Sequence, residues 1–289
     1  FTVLDTLTSM RGILDAAPSA RPDLLRDMLA PTRDMYRYFP GEVDLASMHR
    51  QSFGFPLEGA DPQLHNALDG MAAADVWRRA ESALAGAAEV LAAADPRLSV
   101  PDITVLIVLG DPTDAHFMSE VRGTSGNGSV TGFITITLWP TRENLDRIEA
   151  AVVHELHHNL RYAPGGVVWN PMTVTVGEHV VSEGLADAFA RQLYGTPRGY
   201  TPFALDHLDD DGVFQKVLTG LDVTGMQEFA AWVLGDATAR RFGGTPVGLP
   251  TGAGYAAGNR LVDTYLAATG LTAAKALHAD ADDIIAATR

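Results

Sequence analysis

Residues 154–158 read His-Glu-Leu-His-His, and their types and spacing point to one chemistry. His154 and His158 stand at i and i+4, so on an α-helix their imidazoles lie one above the other on one face. So placed, they can hold one metal ion together. Glu155 projects slightly off that face, where it can reach a water on the same ion. The pattern is HExxH, and it serves metal-assisted hydrolysis: zinc activates a water and the glutamate takes its proton. The bland alternative is a solvated helix face, or a metal site kept only for stability. His157 lies between the two histidines on a different face and reads as a packing or hydrogen-bonding residue.

The element that must carry the motif is legible. Residues 143–162 contain no Gly and no Pro. Leu145, Ile148, Val152, Leu156 and Leu160 recur at spacings of three and four, which predicts one amphipathic helix. Thr141 suits the N-cap and Glu143 the positive end of the helix dipole. Pro164 and Gly165-Gly166 stop the helix soon after Tyr162.

A catalytic zinc takes three protein ligands and leaves a fourth position to water. The chain has no cysteine, which excludes thiolate zinc sites and disulfides. A metzincin continuation, HExxHxxGxxH, fails because Arg161 and Pro164 occupy its Gly and His positions. The other common source is a glutamate on a second helix. Residues 178–190, Glu-His-Val-Val-Ser-Glu-Gly-Leu-Ala-Asp-Ala-Phe-Ala, offer Glu183, with Asp187 one turn later on the same face. Glu183 would bind zinc while Asp187 holds a ligand histidine from behind, raising its basicity. His179 shares that face and stays open as a ligand in place of Glu183, or as a hydrogen-bond donor to substrate. Glu183 is favoured because its motif also supplies Asp187.

HExxH followed by ExxxD resembles the gluzincin arrangement of thermolysin-like metallopeptidases. His-Glu-Leu-His-His-Asn-Leu-Arg-Tyr, Ser-Glu-Gly-Leu-Ala, and Gly-Tyr-Ala-Ala-Gly-Asn-Arg-Leu-Val at 254–262 together resemble a bacterial family of predicted zinc-dependent proteases. That family's domain is catalogued as of unknown function, and the resemblance runs from about Pro101 onward. It implies His154, His158 and Glu183 as zinc ligands and Glu155 as general base. It also implies a sheet beside the active-site helix whose edge strand faces the substrate. Strand 133–139 is the candidate for that edge, with an ordinary core strand as the alternative.

Amide hydrolysis passes through an oxyanion that needs a donor besides the metal. Tyr255, in Gly-Ala-Gly-Tyr just before a helix, is the first candidate, against a plain core tyrosine. His179, Arg161, Tyr162, His207 and Arg260 follow.

The 289 residues are 46% hydrophobic, ample for one large domain or two closely packed ones. The formal net charge is −15, which argues against nucleic-acid binding. No run of 18 apolar residues predicts a transmembrane helix. The start, Phe-Thr-Val-Leu-Asp, has neither a charged n-region nor an apolar h-region, which favours a cytoplasmic location.

Residues 1–98 read as a mostly helical N-terminal region, with a helix opening at Arg21-Pro22 and a long one over 71–94. Phe39-Pro40-Gly41 and Phe55-Pro56 mark loops. Residues 103–109 predict a buried strand and 133–139 a half-buried one, with a flexible loop at 123–129 between them. Later helices are expected over 215–221, 226–233 and 260–268, with short ones at 273–277 and 282–287. His207–Gly212 reads as a solvated turn and helix cap.

The expected fold is α+β and zincin-like: a small mixed sheet on the HExxH helix, with helical N- and C-terminal parts. The metallohydrolase region spans 99–289, alone or as one compact unit with 1–98. The expected function is a zinc peptidase acting on a peptide or protein substrate. Two rivals stay open: a zinc hydrolase of a non-peptide amide or ester in a biosynthetic pathway, and a non-enzymatic binding protein with a vestigial metal site.

Overall fold

Thr-Val-Leu-Ile-Val-Leu at 104–109 is rich in β-branched residues and apolar after Thr104 because both of its faces are covered. In the computed structural model, which describes residues 1–39, 41–58 and 62–288, it forms the central strand β2. It is buried along nearly its whole length. Strand β1 (Thr2–Val3) pairs parallel to it on one side. Strand β4 (Phe133–Leu138) pairs parallel on the other, from Thr104 opposite Phe133 to Leu109 opposite Leu138. Strand β3 (Thr124–Asn127) runs antiparallel to β4 and completes a mixed four-stranded sheet of order β1-β2-β4-β3.

Two expectations are corrected here. The segment 123–129 is a strand followed by a tight connection, not a flexible loop. Strand β4 is therefore internal to the sheet, and β3 occupies the edge. Thr-Ser-Gly-Asn carries no apolar alternation because β3 is half solvated, so its composition resembles a turn.

Residues 1–88 and 100–159 form one compact unit and residues 89–99 and 160–289 another. Ahead of β2 run helices α1 (Thr6–Asp15), α2 (Arg21–Leu29), α3 (Leu45–Gln51), α4 (Pro62–Ala73) and α5 (Val76–Ala94). The single helix expected over 71–94 is thus two. Asp75 sits at φ 55° and breaks the run, a left-handed conformation that aspartate tolerates better than most residues. Helix α1 is tied to the sheet by the Thr6 hydroxyl, which donates to the Ile107 carbonyl and accepts from Trp77 Nε1. Pro40, in the expected Phe39-Pro40-Gly41 loop, lies outside the described residues.

After β2 come α6 (Ala115–Ser119), β3, β4, α7 (Arg142–Asp146) and α8 (Ile148–Arg161). The helix expected over 143–162 is interrupted at Arg147, whose φ and ψ are −113° and 1°. Thr141 caps α7 as expected, accepting from Asn144 N. The Asn144 side-chain amide then bonds the carbonyls of Arg122, Gly123 and Trp139, which pins α7 beside the start of β3 and the end of β4. Leu145 is consequently half-exposed, and the buried stripe begins only at Ile148.

The second unit is helical. Helix α9 (Val176–Tyr194) is capped by Thr175, which accepts from Glu178 N, and is buried through most of its first four turns. Helices α10 (Asp211–Leu218), α11 (Asp236–Arg241), α12 (Ala253–Thr269) and α13 (Ala281–Ala286) follow. Asp210 caps α10, as the turn at 207–212 suggested. Residues 226–228 and 230–234 form a 3-10 turn and a π turn rather than one helix. Residues 273–277 form turns rather than the expected helix. Helix α12 packs on α9 where Gly184 meets Gly258: a Cβ on Gly184 would lie 2.2 Å from the Gly258 carbonyl oxygen. Only glycine lets two helix backbones approach so closely.

Candidate metal centre

Helix α8 is amphipathic in an unusual sense, since its polar face is buried too. Ile148, Val152, Leu156 and Leu160 form the apolar stripe, all at 0% exposure. His154, Glu155 and His158 are 7%, 8% and 4% exposed. One turn of helix places the two imidazoles edge to face, with Nε2 of His158 3.0 Å from Nε2 of His154. Zinc bonds of about 2.0–2.2 Å require neighbouring ligand atoms roughly 3–3.5 Å apart. The pair therefore already has the spacing that one ion needs.

Glu155 lies against the edge strand. A Cβ on Gly126 would sit 2.1 Å from Glu155 Oε1, and one on Gly128 would sit 2.0 Å from the Glu155 carbonyl oxygen. Gly126 and Gly128 alternate along the chain, so they face the helix together. Without side chains there, the glutamate carboxylate occupies space that any other residue would fill.

Glu183 lies at the middle of α9, 6% exposed. One turn on, Asp187 accepts hydrogen bonds from Thr201 N (3.1 Å), Thr201 Oγ1 (2.8 Å) and Asn259 Nδ2 (2.8 Å). Asn259 Oδ1 in turn accepts from Arg191, whose guanidinium pairs with Asp263 and stacks over Tyr200. This network braces α9 against α12 around the glutamate. His154, His158 and Glu183 form a buried group whose ligand atoms all lie within 4.8 Å of one another. Two imidazoles and one carboxylate, with no thiol, are a donor set suited to a three-ligand zinc site that keeps a position for water.

The other candidates occupy varied settings. His179, on α9, is buried with its ring edge-on to Phe229 at 4.9 Å. His157 is fully buried within α8. Arg161, also fully buried, makes a bidentate pair with Glu178 (2.8 and 2.7 Å) and donates to the carbonyls of Leu277 and Ala279. Burial works against its charge, but the Glu178 pair outweighs this and raises its pKa above the usual arginine value. The Tyr162 hydroxyl donates to Glu178 at 2.9 Å, and burial pushes its pKa well above the ordinary phenol value. Arg161 and Tyr162 are thus committed to a structural cluster at the end of α8. Tyr255 lies in the first turn of α12, half-buried, its ring edge-on to Phe203 at 5.1 Å. His207 ends a 3-10 turn and is half-buried. Arg260 pairs with Asp211 at 2.8 Å and stacks over Phe214.

Sequence reasoning missed Asn159, Asn259 and the two glycines. Asn159 follows the motif directly and is fully buried, yet asparagine on a helix reads as surface. The signal for the glycines was their alternation inside a segment too short for a long loop.

No helix among the described residues is long and apolar enough to cross a membrane. No solved structure matches the chain. A curated relative, the uncharacterized protein YjfC of Bacillus subtilis (strain 168), is 34% identical over 190 residues. The match covers 65% of this chain and 62% of that protein, so the chain spans less than two thirds of its relative's length. Residues 83–286 match the family described as Predicted Zn-dependent protease (DUF2268), which takes in β2, β3, β4, α8, α9 and α12. The chain belongs to that family.

Proposed function

We propose that the protein is a zinc-dependent peptidase of the gluzincin kind, with a zincin-like arrangement of sheet and helix. His154, His158 and Glu183 would hold the ion, and the observation that carries this is their convergence as one buried group. The family description supports zinc and proteolysis at the coarser level. Bound zinc would polarise the scissile carbonyl and lower the pKa of a water to about 7.

The chain's own residues supply the rest. Glu155 takes the proton from the attacking water and hands it to the leaving amine. Its carboxylate lies against Gly126, on β3, one of the two edge strands of the described sheet. That strand, β3, rather than β4, would hold an extended peptide through main-chain hydrogen bonds. Tyr255 would donate to the oxyanion. Asp187 would hold a ligand histidine from behind while bracing α9 through Thr201 and Asn259.

Glu155→Gln in a zinc-loaded preparation tests this, assayed on a quenched-fluorescence peptide library. The amide keeps the shape but cannot accept the proton. Zinc content should be unchanged and cleavage abolished. A variant that still cleaves at near the parent rate overturns the general-base role.

A further inference from the structure

One buried side chain makes most of the side-chain hydrogen bonds to the connection between β3 and β4, beside Arg37 donating to the Thr131 carbonyl and Asn127 Oδ1 accepting from Ser129 N. Asn159, fully buried on α8, donates through Nδ2 to the carbonyls of Gly128 (2.9 Å), Val130 (3.1 Å) and Phe133 (2.8 Å). Its Oδ1 accepts from Gly132 N at 3.0 Å, and its own carbonyl accepts from the Thr131 hydroxyl at 3.4 Å. Every residue from 128 to 133 except Ser129 is thus tied to this one position on the helix. An asparagine amide is suited to this because it presents donors and an acceptor on one planar group.

The consequence falls on Glu155, one turn earlier on the same helix. The segment that Asn159 fixes contains Gly128, which rests on the Glu155 backbone, and it continues β3, whose Gly126 rests on the Glu155 carboxylate. If the segment lifted, both glycines would leave the glutamate and its carboxylate would gain freedom to turn. We propose that Asn159 is a positioning residue for Glu155: it clamps the 128–133 segment to α8, so that Gly126 and Gly128 hold the carboxylate in one place. The clamp itself stands on the hydrogen bonds; its effect on turnover rests on Glu155 being the general base. Holding a reacting group to within an ångström is commonly worth about 10²-fold in rate.

The test uses the full chain and two readouts. Asn159→Ala should speed hydrogen–deuterium exchange of the 128–133 amides at least about tenfold, the loss of a clamp worth more than about 1.4 kcal/mol. Exchange in α8 and zinc content should stay near the parent's. Cleavage of the quenched-fluorescence peptide library should fall about 10–100-fold in kcat. Asn159→Asp keeps the acceptor for Gly132 N but loses the donors, and should move exchange and kcat in the same direction. Gly126→Ala gives an independent route. Its Cβ meets the end of the Glu155 side chain, so kcat should fall with exchange at 128–133 unchanged. Unchanged exchange in Asn159→Ala overturns the clamp. Faster exchange in Asn159→Ala with kcat per folded molecule unchanged overturns the positioning role. If Glu155→Gln itself still cleaves, the catalytic assignment has failed, and the exchange result still decides the clamp.

Discussion

Replacing Arg161 with methionine should cost the protein more stability than any other single charge removal described above. The guanidinium is fully buried, and its partner Glu178 is 12% exposed. Methionine preserves much of the aliphatic volume, so the loss comes from hydrogen bonds and charge rather than from a cavity. Glu178 would lose two charge-assisted bonds and keep the Tyr162 hydroxyl among its donors. The carbonyls of Leu277 and Ala279 would lose donors as well. Breaking a buried ion pair from one side costs about 3–5 kcal/mol, mostly because the remaining charge stays buried. At roughly 2–4 °C per kcal/mol for a chain of this size, the melting temperature should fall about 10 °C. Urea denaturation of the parent, Arg161→Met, Glu178→Gln and the double variant gives the coupling directly. The double variant should recover at least about 1 kcal/mol relative to the sum of the singles. Loss below about 1 kcal/mol in Arg161→Met, with no coupling to Glu178, would refute the idea that this pair fastens the end of α8.

Three more outcomes follow from other parts of the structure. His49 is buried with Nε2 2.9 Å from the Phe55 carbonyl, and burial lowers its pKa from 6.5 to about 4. The unfolded chain therefore binds a proton that the folded chain refuses, so stability should fall by about 3 kcal/mol as pH drops from 6.5 to 4 and level off below. His49→Gln should flatten that slope in pH-dependent denaturant unfolding, and an unchanged slope would contradict the assignment. Gly184→Ala should cost about 1–3 kcal/mol or more by thermal unfolding, since its Cβ meets the backbone of α12, whereas Gly86→Ala in the open face of α5 should be neutral or stabilising. Tyr255→Phe should lower kcat about 10²–10³-fold on the peptide library with KM little changed, and a parent-like kcat would remove Tyr255 from the oxyanion role.

The parts of the site legible in sequence are those where spacing and element type coincide. HExxH is meaningful because i and i+4 share a helix face, and the stripe from Ile148 to Leu160 identifies that helix unaided. The helix that carries Glu183 and Asp187 one turn apart was legible for the same reason. The break at Arg147 was not, because Leu145 continues the apolar spacing while Asn144 overrules it through three long-range hydrogen bonds. Strand β3 was hidden by its own role: an edge strand that abuts a helix through glycines has no apolar alternation to read. Asn159 and Asn259 show a more general limit. A buried amide is defined by the carbonyls it meets, and those lie far along the chain from it.

The claim on which most depends is that one zinc ion is held by His154, His158 and Glu183. Zinc-edge X-ray absorption on the purified, zinc-loaded chain, with metal content measured alongside, tests it most directly. The expected result is one zinc per chain with two imidazole shells at about 2.0–2.1 Å and oxygen in the remaining positions. Glu183→Ala should lose most of the metal, and His179→Ala should retain it. A first shell with three imidazoles, or metal that survives Glu183→Ala but not His179→Ala, would contradict the ligand set.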